Sequence, residues 1–282
     1  MRKVIAILSA LLAKFSMEEN DPTVSVIIPT KNSSRTLEKC LQSIKDQSYK
    51  NIELIVVDNN SADNTKEIAQ KFTDKVYNFG PERSAQRNFG AKNAAGKYLL
   101  IHDCDIYFAK TSVAECVELA ESGVCQTVIL PERSIGIGYW AKIKAYERGF
   151  YVGNDDIEAP RFFRADMFAA LSGYDEQMYA GEDWDMAIRI KQAGYGISRA
   201  ASFVLHDEGR LSLLASSRKK RYYADNLNAV YAKKHPEQMK RQMSFFVRFP
   251  LKTIFVELCI HPIKLASMIY MKGVEYLNSQ RT

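Results

Sequence analysis

An α/β fold built on a mostly parallel sheet flanked by helices is what this sequence predicts, on three observations. Short aliphatic and β-branched runs alternate with stretches whose apolar residues recur at helical spacing. The runs end in polar residues, which puts charged and hydrogen-bonding groups at strand carboxyl ends, where open α/β sheets bind ligands. With 282 residues, 46% of them hydrophobic, the chain is long enough for one large domain carrying an appendage.

Residues 23–28 form a β-branched run closed by Pro29, the pattern of a buried strand. Leu37, Cys40, Leu41 and Ile44 follow at helical spacing, and Asn32, Ser33 or Ser34 can cap their start. Residues 53–57 make a second apolar strand ending at Asp58, and Asp63 can cap a helix carrying Ile68, Ala69 and Phe72. A short strand over 76–79 precedes a helix that Ser84 can cap and that runs through Ala95 to a stop at Gly96. Residues 97–102 are the fourth strand, which ends in Asp103-Cys104-Asp105. With a helix over 113–120 and a strand over 124–130, right-handed crossovers place the crevice where Pro29, Asp58 and Asp103 emerge. The chain is then less regular until a helix over 182–193, where Trp184, Ala187, Ile188 and Lys191 share a face before Gly194.

The formal charge of +6 is unevenly placed: residues 216–282 hold 13 Lys and Arg against 4 Asp and Glu, so the rest of the chain is net acidic. This divides the sequence into an apolar segment at 1–21, an α/β domain at 22–211 and a basic helical region at 212–282. The basic residues lie outside any recognisable nucleic-acid module, and no nucleic-acid partner is expected. Residues 4–13 are too few to span a bilayer and read as a membrane-surface or packing helix. Five scattered cysteines with no C-x-x-C pair read as reduced thiols rather than a disulfide frame or zinc site.

Asp103 and Asp105 carry the clearest chemical signal. Two carboxylates so close repel by up to ~4 kcal/mol at the effective dielectric of a protein surface unless a cation sits between them. A divalent metal carrying a phosphate meets that need, although a solvated strand end has the same sequence. Arg87, or alternatively Arg83, can offer a guanidinium fork to phosphate oxygens. Asp58 lies in Asp-Asn-Asn-Ser, where it can bind a ligand or form a turn. Glu182 and Asp183 open a helix, a position the macrodipole favours for carboxylates whatever their function.

Six segments in order strengthen this pattern: residues 24–30 (VSVIIPT), 56–65 (VVDNNSADNT), 87–90 (RNFG), 103–105 (DCD), 173–176 (GYDE) and 181–185 (GEDWD). Together they resemble the family 2 glycosyltransferases of the GT-A fold over residues from about 23 to 211. The resemblance implies a nucleotide-binding, mostly parallel sheet with the basic helical region appended. It implies donor contacts from Pro29, Thr30, Asp58, Arg87 and Asp103, with Pro29 and Thr30 offering backbone groups to a uracil ring. Asn59 stands where such enzymes often carry a second Asp. By the same resemblance Asp105 and His206 hold Mn²⁺ or Mg²⁺, Asp183 is the general base, and Glu182 and Trp184 face the acceptor, although Trp184 reads more readily as a core residue. The implied reaction is metal-dependent, inverting transfer of one sugar from a nucleotide-sugar, a UDP-sugar, to a hydroxyl of a glycan or lipid-linked acceptor. No Q-x-x-R-W segment follows Asp183, so processive synthesis is not implied. The alternatives are a sugar nucleotidyltransferase, disfavoured because residues 26–32 hold no glycine to wrap a triphosphate, and a non-catalytic nucleotide-sugar-binding protein.

In the basic region, Pro250, Lys252, Glu257, Pro262 and Lys264 interrupt every apolar run that might cross a bilayer, which leaves an interfacial helix pair. At ~1 kcal/mol per cation near anionic lipid, residues 218–221 contribute about 4 kcal/mol of surface attraction. The expectation is peripheral binding on the cytoplasmic face of a membrane and an acceptor such as a polyprenyl phosphate or a lipid-linked saccharide. The alternative is that these helices cover the core while their cations stay wet.

Overall fold

The computed structural model describes residues 21–279, and the apolar segment read at residues 4–13 lies outside them. A seven-stranded sheet runs in the order β3-β2-β1-β4-β8-β6-β9. Its strands are β1 (Val24–Thr30), β2 (Ile52–Asp58), β3 (Val76–Asn78), β4 (Tyr98–Ile101), β6 (Thr127–Ile129), β8 (Phe162–Arg164) and β9 (Ile197–Arg199). β1 pairs in parallel with β2 and β4, with Ile27 opposite Ile55 and Ile101, while β8 is antiparallel to both β4 and β6.

Every residue of β1 is buried, because helices cover both faces of the sheet. The two-residue period sends Val24, Val26 and Ile28 against Leu37, Cys40, Leu41 and Ile44 of α1 (Leu37–Lys45). On the other face Ile27, Ile55 and Val57 meet Met186 and Ile190 of α7 (Glu182–Gln192). Each such side chain contributes roughly 1.5–3 kcal/mol by leaving water. The helix α3 (Arg83–Lys92) approaches β1 so closely that a Cβ on Gly90 would clash with the Ile27 side chain. Substituting Gly90 would therefore push α3 off the sheet.

The helices start at residues other than the expected caps. Thr36, not Asn32, Ser33 or Ser34, precedes α1, and the amides of Ser33 and Ser34 instead donate to Thr65 and Asp63 across the loop. Helix α2 (Thr65–Gln70) begins after Asn64, whose neighbour Asp63 accepts the Thr65 amide at 3.1 Å. Ser84 lies inside α3 and donates to the Met178 carbonyl, so it ties the helix to a distant loop, and α3 ends at Lys92 rather than Ala95. α4 (Ser112–Glu121) lies as expected, and short α6 (Ala165–Ala170) follows β8. In α7 the buried residues are Glu182, Asp185, Met186, Ala187 and Ile190, a face rotated from the expected one by the charged groups it binds.

A second, three-stranded sheet was not anticipated: β5 (Ile106–Phe108), β10 (Val204–Arg210) and β7 (Glu132–Ile137), in that order. β5 is only three residues long and shows no alternation that marks it as a strand. Its register puts His206 opposite Ile106, which carries the imidazole to Asp105. Helix α5 (Tyr139–Gly149) packs beside this sheet.

Beyond β10 the described chain is helical: α8 (Leu213–Asn226), a π-helical turn (Leu227–Tyr231), α9 (Ala232–Lys234), α10 (Pro236–Met243), α11 (Phe245–Arg248), α12 (Leu251–Ile260) and α13 (Pro262–Ser279). α13 lies along α8 and α5, where Leu265, Met268 and Met271 join Ile143 and Phe249 in a separate core. α12 buries none of its residues. Among the described residues no helix is long and apolar enough to cross a membrane. None of the five cysteines is in a disulfide.

Candidate active site

A cavity of about 380 Å³ opens at the carboxyl ends of the central strands. β4 delivers Asp103 and Asp105, β10 delivers His206, and the start of α7 delivers Asp183 and Trp184, all to its wall. Gly181 makes the last delivery possible: it caps α7 with φ of 80°, and a side chain there would strike Leu227 and Tyr231.

Three carboxylates meet three guanidiniums at one end of this cavity. Arg87, with no exposed surface, donates from Nη2 to Asp103 at 2.7 Å and from Nη1 to Glu182 at 2.9 Å, and its Nη1 lies 3.5 Å from Asp183. Arg161 grips both oxygens of Asp183, at 2.7 and 2.6 Å. Arg83 stands 3.6 Å from Asp103. Burial works against ionisation of Asp103, yet Arg87 and Arg83 hold its carboxyl well below the usual carboxylate range. At Asp183 burial wins: the carboxyl is pushed up to about 6 although Arg161 draws it down, and Glu182 adds repulsion.

Asp105 and His206 stand beside this cluster. His206 Nε2 is 3.4 Å from Asp105 Oδ2, and its Nδ1 is 3.3 Å from Glu132. Burial would lower the imidazole, but these two acceptors push it up to about 10. Asp105 Oδ1 is buried with no hydrogen-bond partner, an acceptor left for a cation. Among the described residues no group of three or more His, Cys, Asp or Glu is arranged to hold a metal ion. Asp105 and His206 therefore fit a cation only if other oxygens complete its shell, as donor phosphates do at many Mg²⁺ sites.

Several expected contacts are elsewhere. Asp58 is fully buried and accepts hydrogen bonds from Thr30 Oγ1 (3.0 Å) and the Ser61 amide (2.9 Å), the turn-forming alternative of its sequence. The Thr30 carbonyl already accepts from the Asn59 amide and Gln86, and neither Pro29, Thr30 nor Asp58 lines the cavity. Arg87 is corrected from a phosphate-binding group to a buried tie between three carboxylates, and Arg83, 35% exposed, is the guanidinium on the cavity wall. Glu182 is likewise buried against Arg87 rather than open to an acceptor. Trp184, half-buried, lines the cavity, donates to the Ile157 carbonyl at 2.9 Å and leans on Tyr231. Arg161 was missed, because it sits in the irregular stretch before β8 with no periodic signal around it.

Fold and site together define the class as a GT-A α/β protein. Two solved structures share the fold: a mannosyltransferase from Pyrobaculum calidifontis in complex with GDP-Man and Mn²⁺ (TM-score 0.62, 17% identity, 92% of this chain and 82% of that one), and TarS residues 1–349 of S. aureus in complex with UDP-GlcNAc (TM-score 0.55, 17% identity, 91% and 89%). The sequence model described as Glycosyl transferase family 2 matches residues 25–172, just over half of the chain, and the chain belongs to that family. Similar curated proteins include an uncharacterized glycosyltransferase of Rickettsia typhi, 39% identical over 99 residues (33% of this chain, 31% of that one). Another is the GalNAc(5)-diNAcBac-PP-undecaprenol beta-1,3-glucosyltransferase of Campylobacter jejuni, 32% identical over 112 residues, 36% of each chain. The matched stretch thus spans about a third of the length of these relatives.

Proposed function

We propose that this chain transfers one sugar from a nucleotide-sugar, a UDP-sugar, to a hydroxyl of a lipid-linked acceptor, with inversion and with a divalent cation, Mn²⁺ or Mg²⁺. The observation that carries the reading is a single cavity wall shared by Asp105, with its unpartnered buried oxygen, and Asp183, whose raised proton affinity suits a base. Asp105 and His206 would hold the cation, which would supply charge neutralisation on the departing diphosphate. His206 gives up a proton to do so, since only the neutral imidazole ligates a metal. Arg83 and Asp103 orient the donor at that end. Asp183 takes the proton of the acceptor hydroxyl, held in place by Arg161, and Trp184 excludes water beside it.

The Campylobacter relative, named for a substrate on undecaprenol diphosphate, supports a lipid-linked acceptor. So does the outer surface of α12 and α13, where Leu251, Phe255 and Ile263 are 66, 69 and 75% exposed among basic residues, the composition of an interfacial helix pair. Peripheral binding to the cytoplasmic face of a membrane, with residues 212–282 as the binding region, follows as part of the proposal.

UDP- and GDP-sugars incubated with membrane extracts, with and without Mn²⁺, test it beside Asp183→Asn and Asp105→Ala. Transfer by the wild type that needs the cation and is lost in both variants is expected. Full activity in either variant would overturn the site, and nucleotidyl transfer would favour the alternative enzyme class.

A further inference from the structure

The cavity is also lined by residues that the transfer chemistry leaves unused. There Lys144 of α5 and Lys220 of α8 line the wall, and Lys272 of α13 packs behind them. These three ammoniums share two buried carboxylates. Lys144 donates to Glu147 at 2.7 Å and lies 4.0 Å from Glu275. Lys272 donates to Glu147 at 2.8 Å and lies 3.5 Å from Glu275, while Lys220 is paired with Glu275. One positive charge is left over in a largely buried cluster, and it is relieved either by loss of a proton or by an incoming anion. The surplus falls on Lys220: burial and the two neighbouring lysines push it down to about 7, and its side chain is 35% exposed, toward the cavity.

Position adds to charge. α13, which supplies Lys272 and Glu275 on its inner face, carries the exposed Ile269, Tyr270 and Leu277 on its outer one. The cationic cluster therefore joins the cavity that holds Asp183 to a helix whose other face is apolar. An amphiphile whose saccharide, phosphate and hydrocarbon follow one another in a line matches that order.

We propose that Lys144, Lys220 and Lys272 form a binding site for the phosphate or diphosphate group of the acceptor, between its sugar and its lipid. The proposal rests on the reading of the chain as a transferase with a lipid-linked acceptor. Its residues are distinct from Asp105 and His206, which line the same cavity.

Calorimetry on the full chain, saturated with UDP and Mn²⁺ to fill the donor end, tests it with three probes: farnesyl diphosphate, inorganic pyrophosphate and farnesol. Farnesyl diphosphate should bind more tightly than either of the others. Lys220→Gln leaves two lysines with two glutamates, a balanced cluster, and should weaken farnesyl diphosphate by about tenfold, as loss of a charge-assisted contact does. Glu275→Gln increases the surplus and should strengthen it, so the two variants move in opposite directions while UDP affinity stays constant and reports an intact fold. If Lys220→Gln fails to fold, Glu275→Gln carries the test alone. Unchanged binding in the variants, or farnesol equal to farnesyl diphosphate, overturns the site. Pyrophosphate equal to farnesyl diphosphate, both weakened by Lys220→Gln, overturns the lipid-linked assignment and leaves a free-phosphate site. Failure of UDP to bind sinks the transferase reading, whereas the Lys220→Gln comparison still decides the anion site.

Discussion

The two ends of the cavity neutralise buried charge differently. At the strand ends, Asp103, Glu182 and Asp183 face Arg83, Arg87 and Arg161, three charges of each sign. At the helical end, Lys144, Lys220 and Lys272 face only Glu147 and Glu275. Guanidinium stays charged when buried and grips carboxylates through a rigid fork, whereas a buried ammonium loses its proton far more readily. The first end is thus a closed, preorganised frame, and the second is a cluster that an incoming anion would complete. Rigid placement belongs to the end expected to perform chemistry, and unfinished charge to the end expected to bind.

Removing a member of the balanced end should have the largest effect. Arg87→Met leaves Asp103 and Glu182 buried without their partner and is expected to cost about 3–5 kcal/mol in denaturant unfolding. Lys220→Gln, which relieves an excess, should cost far less in the same measurement, and equal losses would erase the distinction between the ends. Asp183→Asn should lower kcat by ~10² to 10⁴ with donor affinity retained, read by initial rates and UDP titration.

The pH dependence sharpens the role of Arg161. A base titrating at about 6 must be deprotonated to work, so kcat/KM should rise with pH up to about 6 and level off above it. Arg161 draws that carboxyl down, and Arg161→Gln should move the rising limb to higher pH; a limb that stays in place would remove Arg161 from the mechanism. Because the folded carboxyl titrates above its ordinary value, its contribution to stability is present at low pH and lost as pH rises through about 6. Asp183→Asn should therefore gain stability relative to the wild type as pH rises from 3 to 7, on top of the constant loss from leaving Arg161 without its carboxylate. The smallest effect on stability, within about 0.5 kcal/mol, is expected from Phe255→Glu with Ile263→Glu on the exposed face. Flotation with anionic liposomes should nevertheless fall in that double variant, and unchanged flotation would remove this face from any membrane contact.

Legibility followed chain separation. β1, β2 and β4, and the carboxylates at their ends, were readable because an apolar run closed by a polar residue is a local pattern. The three-stranded sheet was not, since β5 acquires its strand character only by pairing with β10, and β10 finds β5 and β7 far along the chain. Arg87 was recognised as important but given the wrong partner, because nothing near it in sequence says that Glu182 will stand 2.9 Å away. Arg161, Lys144 and Lys272 carried no local signal, whereas Lys220 was read with residues 218–221 as a lipid-facing cation and instead pairs with Glu275 at the cavity.

Residue order alone established the alternation of strands and helices, the acidic strand ends and the basic character of the last quarter, since each depends on spacing and composition within a short window. Tertiary structure decided which carboxylates are sealed by arginine, which one keeps a raised proton affinity, and where three lysines outnumber two glutamates. Those outcomes depend on burial and on charges brought together from α3, α5, α7, α8 and α13, and electrostatic energy is set by distance in space rather than by position in the chain.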